Sequence, residues 1–192
     1  ISIGVLVIYS SSKELAMQQS IFTGVGLLIF FLISKFHLQS IKSLINPLYI
    51  FILLMLIAVF ILGIETRGTL RWIPLGILNI QPSEFAKPVL ILFLAKFWLE
   101  KQPTGLNILK SLLWSSPAIL LIFKQPDLGS ALTLVAIWMG MLLAARVSIK
   151  KILLLVVIAL LIVPTSWFVL HDYQKERISS FLSPESDPLG KG

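Results

Sequence analysis

No cysteine occurs among the 192 residues, which removes disulfides and thiolate metal sites from consideration. Histidine is nearly as scarce: His37 and His171 stand far apart, and neither belongs to a metal-like cluster. Charge is thin as well, with 13% Asp, Glu, Lys and Arg against 57% hydrophobic residues and a mean hydropathy of +0.94. A soluble domain of this length could not cover so much apolar surface, which leaves an all-α, polytopic helical membrane protein. In a soluble chain the net charge of +7 would suggest nucleic acid. Here it reads as basic cytoplasmic loops, and no nucleic-acid partner is expected. The chain opens on Ile1, and its first apolar run, to Tyr9, is half the length needed to span and lacks the basic flank and cleavage site of a signal peptide. It stops at Gly192 inside a polar stretch. The expectation is one integral-membrane domain over 1–192, cut at both ends.

Judged against the roughly 20 residues needed to cross a bilayer, about seven apolar segments emerge. A partial helix ends near Tyr9 and is followed by a polar turn from Ser10 to Glu14. Further spans run over about Met17–Ser34 and Pro47–Ile64, and a long polar loop then covers Glu65–Ile80. The next are predicted over Pro82–Trp98, over Leu109–Phe123 with a break at Pro117, over Leu128–Ala145, and over Ile152–Leu170 with Pro164 inside. Alternate connections are basic. One set holds Lys35, Lys42, Lys96, Lys101, Lys110, Arg146, Lys150 and Lys151 with Glu100 as its acid. The other holds Lys13, Arg67, Arg71, Lys87 and Lys124, nearly balanced by Glu14, Glu65, Glu84 and Asp127. The positive-inside rule assigns the first set to the cytoplasm, which gathers the polar motifs on the outer face.

Four motifs carry chemistry. In Gly68-Thr-Leu-Arg71-Trp72-Ile-Pro-Leu-Gly76 the glycines suit turns. Arg71 and Trp72 fit either an interfacial anchor or a phosphate held by the guanidinium. In Gln81-Pro82-Ser83-Glu84-Phe-Ala-Lys87, Pro82 and Ser83 mark a helix start. Glu84 and Lys87 share a helix face and can pair. Glu84 suits the helix dipole, whereas Lys87 opposes it, and an ionisable residue within a span usually faces a protein interior. In Gln125-Pro126-Asp127-Leu-Gly129-Ser130, Asp127 is best read as a helix cap. Last comes His171-Asp172-Tyr173-Gln174-Lys-Glu-Arg177-Ile178, an interfacial turn leading into the Pro- and Ser-punctuated loop Phe181–Gly190.

Taken in order, these motifs resemble one family over essentially the whole chain: the shape, elongation, division and sporulation proteins, the bacterial RodA and FtsW family. The residues that carry the likeness are Arg71-Trp-Ile-x-Leu-Gly, Gln81 to Lys87, Gln125 to Ala131, and Tyr173-Gln-x-x-Arg-Ile followed by Pro184-Glu-x-Asp-Pro-Leu-Gly190. His171-Asp-Tyr-Gln and Pro184 to Gly190 look more like the rod-shape (elongation) branch than the division branch.

The resemblance implies a fold of about ten transmembrane helices in the bacterial cytoplasmic membrane, of which this chain would hold about seven. It also implies polymerisation of lipid II, the undecaprenyl-pyrophosphate-linked disaccharide peptide, into glycan strands on the outer face. The implied partners are a class B penicillin-binding protein and other membrane proteins of the elongation machinery. The family's essential Asp lies in a later His-Thr-Asp-Phe-Ile-Phe stretch that this sequence does not reach, so no catalytic base is assigned, and Asp187 does not take its place. The expected binding and cavity residues are Arg67, Arg71, Trp72, Gln81, Ser83, Glu84, Lys87, Gln125, Asp127, Tyr173, Gln174 and Arg177. Lys87 would orient the missing Asp and Glu84, and Arg71, with Arg67 as a second candidate, would hold phosphate. No cofactor is required by these residues; a divalent cation, Mg or Mn, is compatible with the chemistry. The rival readings are a flippase for the lipid-linked precursor and a non-catalytic membrane scaffold.

Overall fold

The computed structural model describes residues 2–35, 41–66, 69–75, 78–125, 127–166 and 175. The chain divides into two compact units, Ile1–Leu44 and Ile45–Gly192.

In the first unit α1 (Ser2–Ser11) leads directly into α2 (Lys13–Ser34). The polar turn expected over residues 10–14 reduces to Ser12, whose Oγ accepts from the Leu15 amide at 3.5 Å as the N-cap of α2. Glu14 sits in the first turn of α2, where the helix dipole favours an acid. Only Ala16 in α2 is buried, and Ile21, Phe22, Leu28, Phe30 and Phe31 all project outward. A helix of 22 residues that exposes this much hydrocarbon is matched to lipid and not to water.

The second unit is built from α3 (Ile45–Leu62), a three-stranded meander, and α4 (Pro82–Glu100), α5 (Gly105–Lys124), α6 (Leu128–Ala144) and α7 (Ile149–Ser166). Leu56 and Val59 of α3, Leu90 and Leu94 of α4, Ile122 of α5, and Leu134 and Leu142 of α6 are fully buried where these helices meet. Among the described residues α2, α3 and α5 are long and apolar enough to cross a membrane, and α6 is a shorter apolar helix. The chain is an all-α membrane protein with one small sheet among its described residues.

That sheet replaces the expected polar loop. Strands β1 (Ile64–Thr66), β2 (Thr69–Leu75) and β3 (Leu78–Ile80) run antiparallel in the order β1-β2-β3. Thr66 pairs with Thr69 and Leu75 with Leu78, so two residues join each pair of strands. Pro74 faces Asn79 in the second position from the β2–β3 turn. In a two-residue hairpin that position is a non-hydrogen-bonded pair, so the missing amide costs β3 nothing. Gly63 makes the corner before β1: a Cβ there would collide with the Val59 carbonyl.

Two helix features need a physical account. Pro117 does not break α5, which is continuous from Gly105 to Lys124. Proline leaves the carbonyl four residues back without its donor. Ser116 Oγ donates to that carbonyl, Leu113 O, at 3.0 Å, so the group stays paired in an apolar setting. At the end of α6, Arg146 adopts φ +56°. Its amide bonds Leu143 O, and the Val147 amide bonds Leu142 O, at 3.0 and 3.1 Å. This pair of bonds is a Schellman cap, with Val147 and Leu142 both buried beneath it.

Candidate functional site

α3 runs into the meander and α4 runs out of it, while α5 ends and α6 begins at the same end of the bundle. Connectivity therefore brings Arg71, Gln81, Gln125 and Asp127 together, although they span 56 residues of sequence, the difference between positions 71 and 127. Strand β2 packs on both α3 and α4, which places Arg71 against the bundle.

Asp127 is the hub. As the N-cap of α6 its Oδ1 accepts from the Ser130 amide at 3.2 Å, the capping role the sequence suggested. The same oxygen lies 3.7 Å from Arg71 Nη1, and Oδ2 accepts a long bond from Gln81 Nε2 at 3.5 Å. The Asp127 side chain is 6% exposed and that of Arg71 19%. A buried carboxylate in this setting is stabilised only by such partners, so the cap and the ion pair depend on each other. Gln81 occupies the N-cap position of α4 yet makes no capping bond with its side chain, which is turned to Asp127 instead.

Ser83 departs from expectation. It lies one residue inside α4, after Pro82, and does not cap the helix. Its Oγ is buried and has no hydrogen-bond partner among the described residues. Gln125 is buried too, and its Nε2 donates to the Leu56 carbonyl of α3 at 2.7 Å. That bond ties α5 to α3 beneath the cluster, which makes Gln125 a structural tie. Trp72 is half-buried in β2, with Ile64 as its cross-strand partner.

Glu84 and Lys87 pair as their spacing predicts, with Nζ 2.6 Å from Oε1. Neither is fully buried: the Glu84 side chain is 54% exposed and that of Lys87, partly covered, 25%. Pro88, next in line, is a residue the sequence reading passed over. Lacking an amide hydrogen, it frees the Glu84 carbonyl from the helix ladder, beside the ion pair. Its signal was present, since a proline one turn into a helix always leaves such a carbonyl. The Gln81–Asp127 contact had no signal in sequence at all. Arg67, Tyr173, Gln174 and Arg177, and both histidines, lie outside the described residues.

Among the described residues no three His, Cys, Asp or Glu side chains gather as a metal site. The buried carboxylate of Asp127 is already engaged by Arg71, Gln81 and the Ser130 amide. These residues do not fit a divalent cation. What they offer is a fixed guanidinium at one end of the bundle, with an ammonium–carboxylate pair on the first turns of α4.

Comparison with known proteins agrees with the motifs. The family model described as cell cycle protein, covering FtsW, RodA and SpoVE, matches residues 2–192. The peptidoglycan glycosyltransferase MrdB of Escherichia coli K12 is 33% identical over 97% of this chain and 52% of its own length. The stage V sporulation protein E of Bacillus subtilis is 32% identical over 100% of this chain and 57% of its own. A chain from a solved peptidoglycan synthase complex superposes with a TM-score of 0.83 at 33% identity, covering 98% of this chain and 57% of that one. The crystal structure of the Thermus thermophilus rod shape determining protein RodA gives 0.72 at 29% identity, covering 83% and 55%. The chain spans about half the length of the curated relatives it matches. With its motifs in register and the family model matched from residue 2 to residue 192, the chain belongs to the FtsW, RodA and SpoVE family of membrane proteins.

Proposed function

We propose that this chain is part of a peptidoglycan glycosyltransferase that polymerises lipid II during cell elongation. The observation that carries the reading is the gathering of polar motifs at one end of an apolar bundle. Arg71, Gln81 and Asp127 are fixed together there, and Glu84 and Lys87 follow on the next turns of α4. A lipid-linked substrate keeps its hydrocarbon in the bilayer and presents pyrophosphate and sugar at the surface, so it needs cationic groups at one end only.

In the proposed reaction a carboxylate takes the proton from the acceptor sugar hydroxyl. That oxygen then bonds to the anomeric carbon of the donor, and the bond from this carbon to the lipid pyrophosphate breaks. The developing pyrophosphate charge calls for preorganised cations. Arg71 is oriented for this by Asp127, and Lys87 is assigned to position the carboxylate base, for which this chain carries no matching residue. Arg67, Trp72, Ser83, Tyr173, Gln174 and Arg177 remain proposed cavity residues. The substrate end is assigned to the outer face of the cytoplasmic membrane, because the opposite end carries the basic residues. A class B penicillin-binding protein is the proposed partner; a structural relative of this chain belongs to a peptidoglycan synthase complex that coordinates polymerization and crosslinking.

The test is reconstitution of the complete protein in vesicles with lipid II. Glycan polymer supports the reading. Headgroup translocation without polymer would make it a flippase, and neither product would make it a scaffold.

A further inference from the structure

The end of the bundle opposite the motifs is where α3 begins, α4 ends, α5 begins and α6 ends. It collects Lys96, Lys101, Lys110, Arg146, Lys150 and Lys151, with Glu100 as the one acid there among the described residues. Lys151 Nζ donates to the Pro103 carbonyl at 3.3 Å, which ties α7 into this basic end.

Between α3, α4 and α5 this end opens into a cleft of about 320 Å³. Its wall is aromatic. The Tyr49 ring stacks on Phe93 with centroids 4.3 Å apart, and Phe93 stands 5.8 Å from Trp114. The Tyr49 hydroxyl donates to the Trp114 carbonyl, which leaves the wall without a free polar group from that phenol. The mouth is polar. Lys96 Nζ donates to Asn46 Oδ1 at 3.0 Å, and Glu100 and Lys101 line the same opening. Asn46 is neutral, so it aims the Lys96 ammonium without cancelling its charge.

Two lysines and one glutamate give the mouth one net positive charge. A ligand that fits therefore carries one negative charge next to a hydrocarbon tail. A soluble anion would leave the aromatic wall unused. A peptide would bring backbone groups that the aromatic wall cannot satisfy. We propose that this cleft seats one anionic phospholipid with a single phosphodiester, of the phosphatidylglycerol type. Its phosphate sits between Lys96 and Lys101, and an acyl chain lies along Tyr49, Phe93 and Trp114. Basic pockets between helices at a membrane surface recognise lipid headgroups by the same charge logic. This site is separate from the proposed reaction at the other end and does not depend on it.

The test uses the whole chain, purified with equal amounts of phosphatidylglycerol and phosphatidylcholine, and weighs bound lipid by native mass spectrometry. Preferential retention of phosphatidylglycerol is expected. The double variant K96A/K101A should lower it by about 25-fold, about five-fold per lysine, with phosphatidylcholine unchanged. The control pair K110A/K150A removes two charges from the same end and should leave retention nearly intact. Equal loss in both pairs, or no loss in K96A/K101A, would overturn the proposal. A second measurement needs no change at the lysines. Acyl-brominated phosphatidylglycerol should quench the fluorescence that Trp114→Phe removes more than brominated phosphatidylcholine does. Equal quenching by the two lipids would also overturn it.

Discussion

Among the described residues two ion pairs stand out at the motif end, and they are built in opposite ways. Glu84 and Lys87 lie three residues apart on one helix, 2.6 Å from each other, with Glu84 exposed and Lys87 partly so. Arg71 and Asp127 come from a strand and a helix cap far apart in sequence, meet at a looser 3.7 Å, and are mostly buried. The shorter contact is the weaker contributor to stability. An exposed i,i+3 pair gains about 0.3–0.5 kcal/mol, whereas breaking a buried pair strands a charge at a cost of about 3–5 kcal/mol. Distance alone would rank them the wrong way round. The contrast fits the proposed roles: Asp127 holds Arg71 in place for pyrophosphate, and the Glu84–Lys87 pair is the one that can re-form around a carboxylate base.

The sharpest way to break this contrast is Asp127→Ala, which removes the ion pair, the Gln81 bond and the cap of α6 at once. A loss of about 3–5 kcal/mol is expected in reversible unfolding. Asp127→Ser, which keeps a capping oxygen, should recover about 1 kcal/mol of it. Gln125→Leu comes next: it leaves the Leu56 carbonyl without its side-chain donor, and about 1–3 kcal/mol should be lost. Ser116→Ala exposes what Pro117 costs α5 once its carbonyl is unserved, with an expected loss of about 1 kcal/mol and a local rise in amide exchange near Leu113. The smallest effect belongs to Glu84→Gln, expected below about 0.5 kcal/mol. A loss as large as that of Asp127→Ala would erase the distinction between the two pairs.

Much of this fold was legible because lipid writes in long apolar runs. The helices around Ile45–Leu62, Pro82–Glu100 and Leu128–Ala144 start or stop within about two residues of where those runs change. The meander was not legible. Residues 64–80 mix Pro74, two glycines and charged groups, and their strand pairing is supported by packing on α3 and α4. Pro117 misled because the remedy was one residue away, in a serine hydroxyl that propensity rules ignore. At the site, local spacing disclosed what is local: the Glu84–Lys87 pair and the Asp127 cap. The Arg71–Asp127 and Gln81–Asp127 contacts arise from how the chain returns to one end of the bundle, which no window of sequence records. Burial of Glu84 and Lys87 was inferred from the cost of charge in lipid, yet the pair lies toward the surface of the described bundle.

The most direct measurement places Lys87→Ala beside the unaltered complete protein in the same lipid II vesicles, with thermal unfolding recorded on both. The account predicts glycan polymer from the unaltered protein and none from the variant, with unfolding shifted by no more than the loss of an exposed pair allows, under about 1 kcal/mol. Undiminished polymer from a folded Lys87→Ala protein would contradict it, and would move the chemistry away from α4.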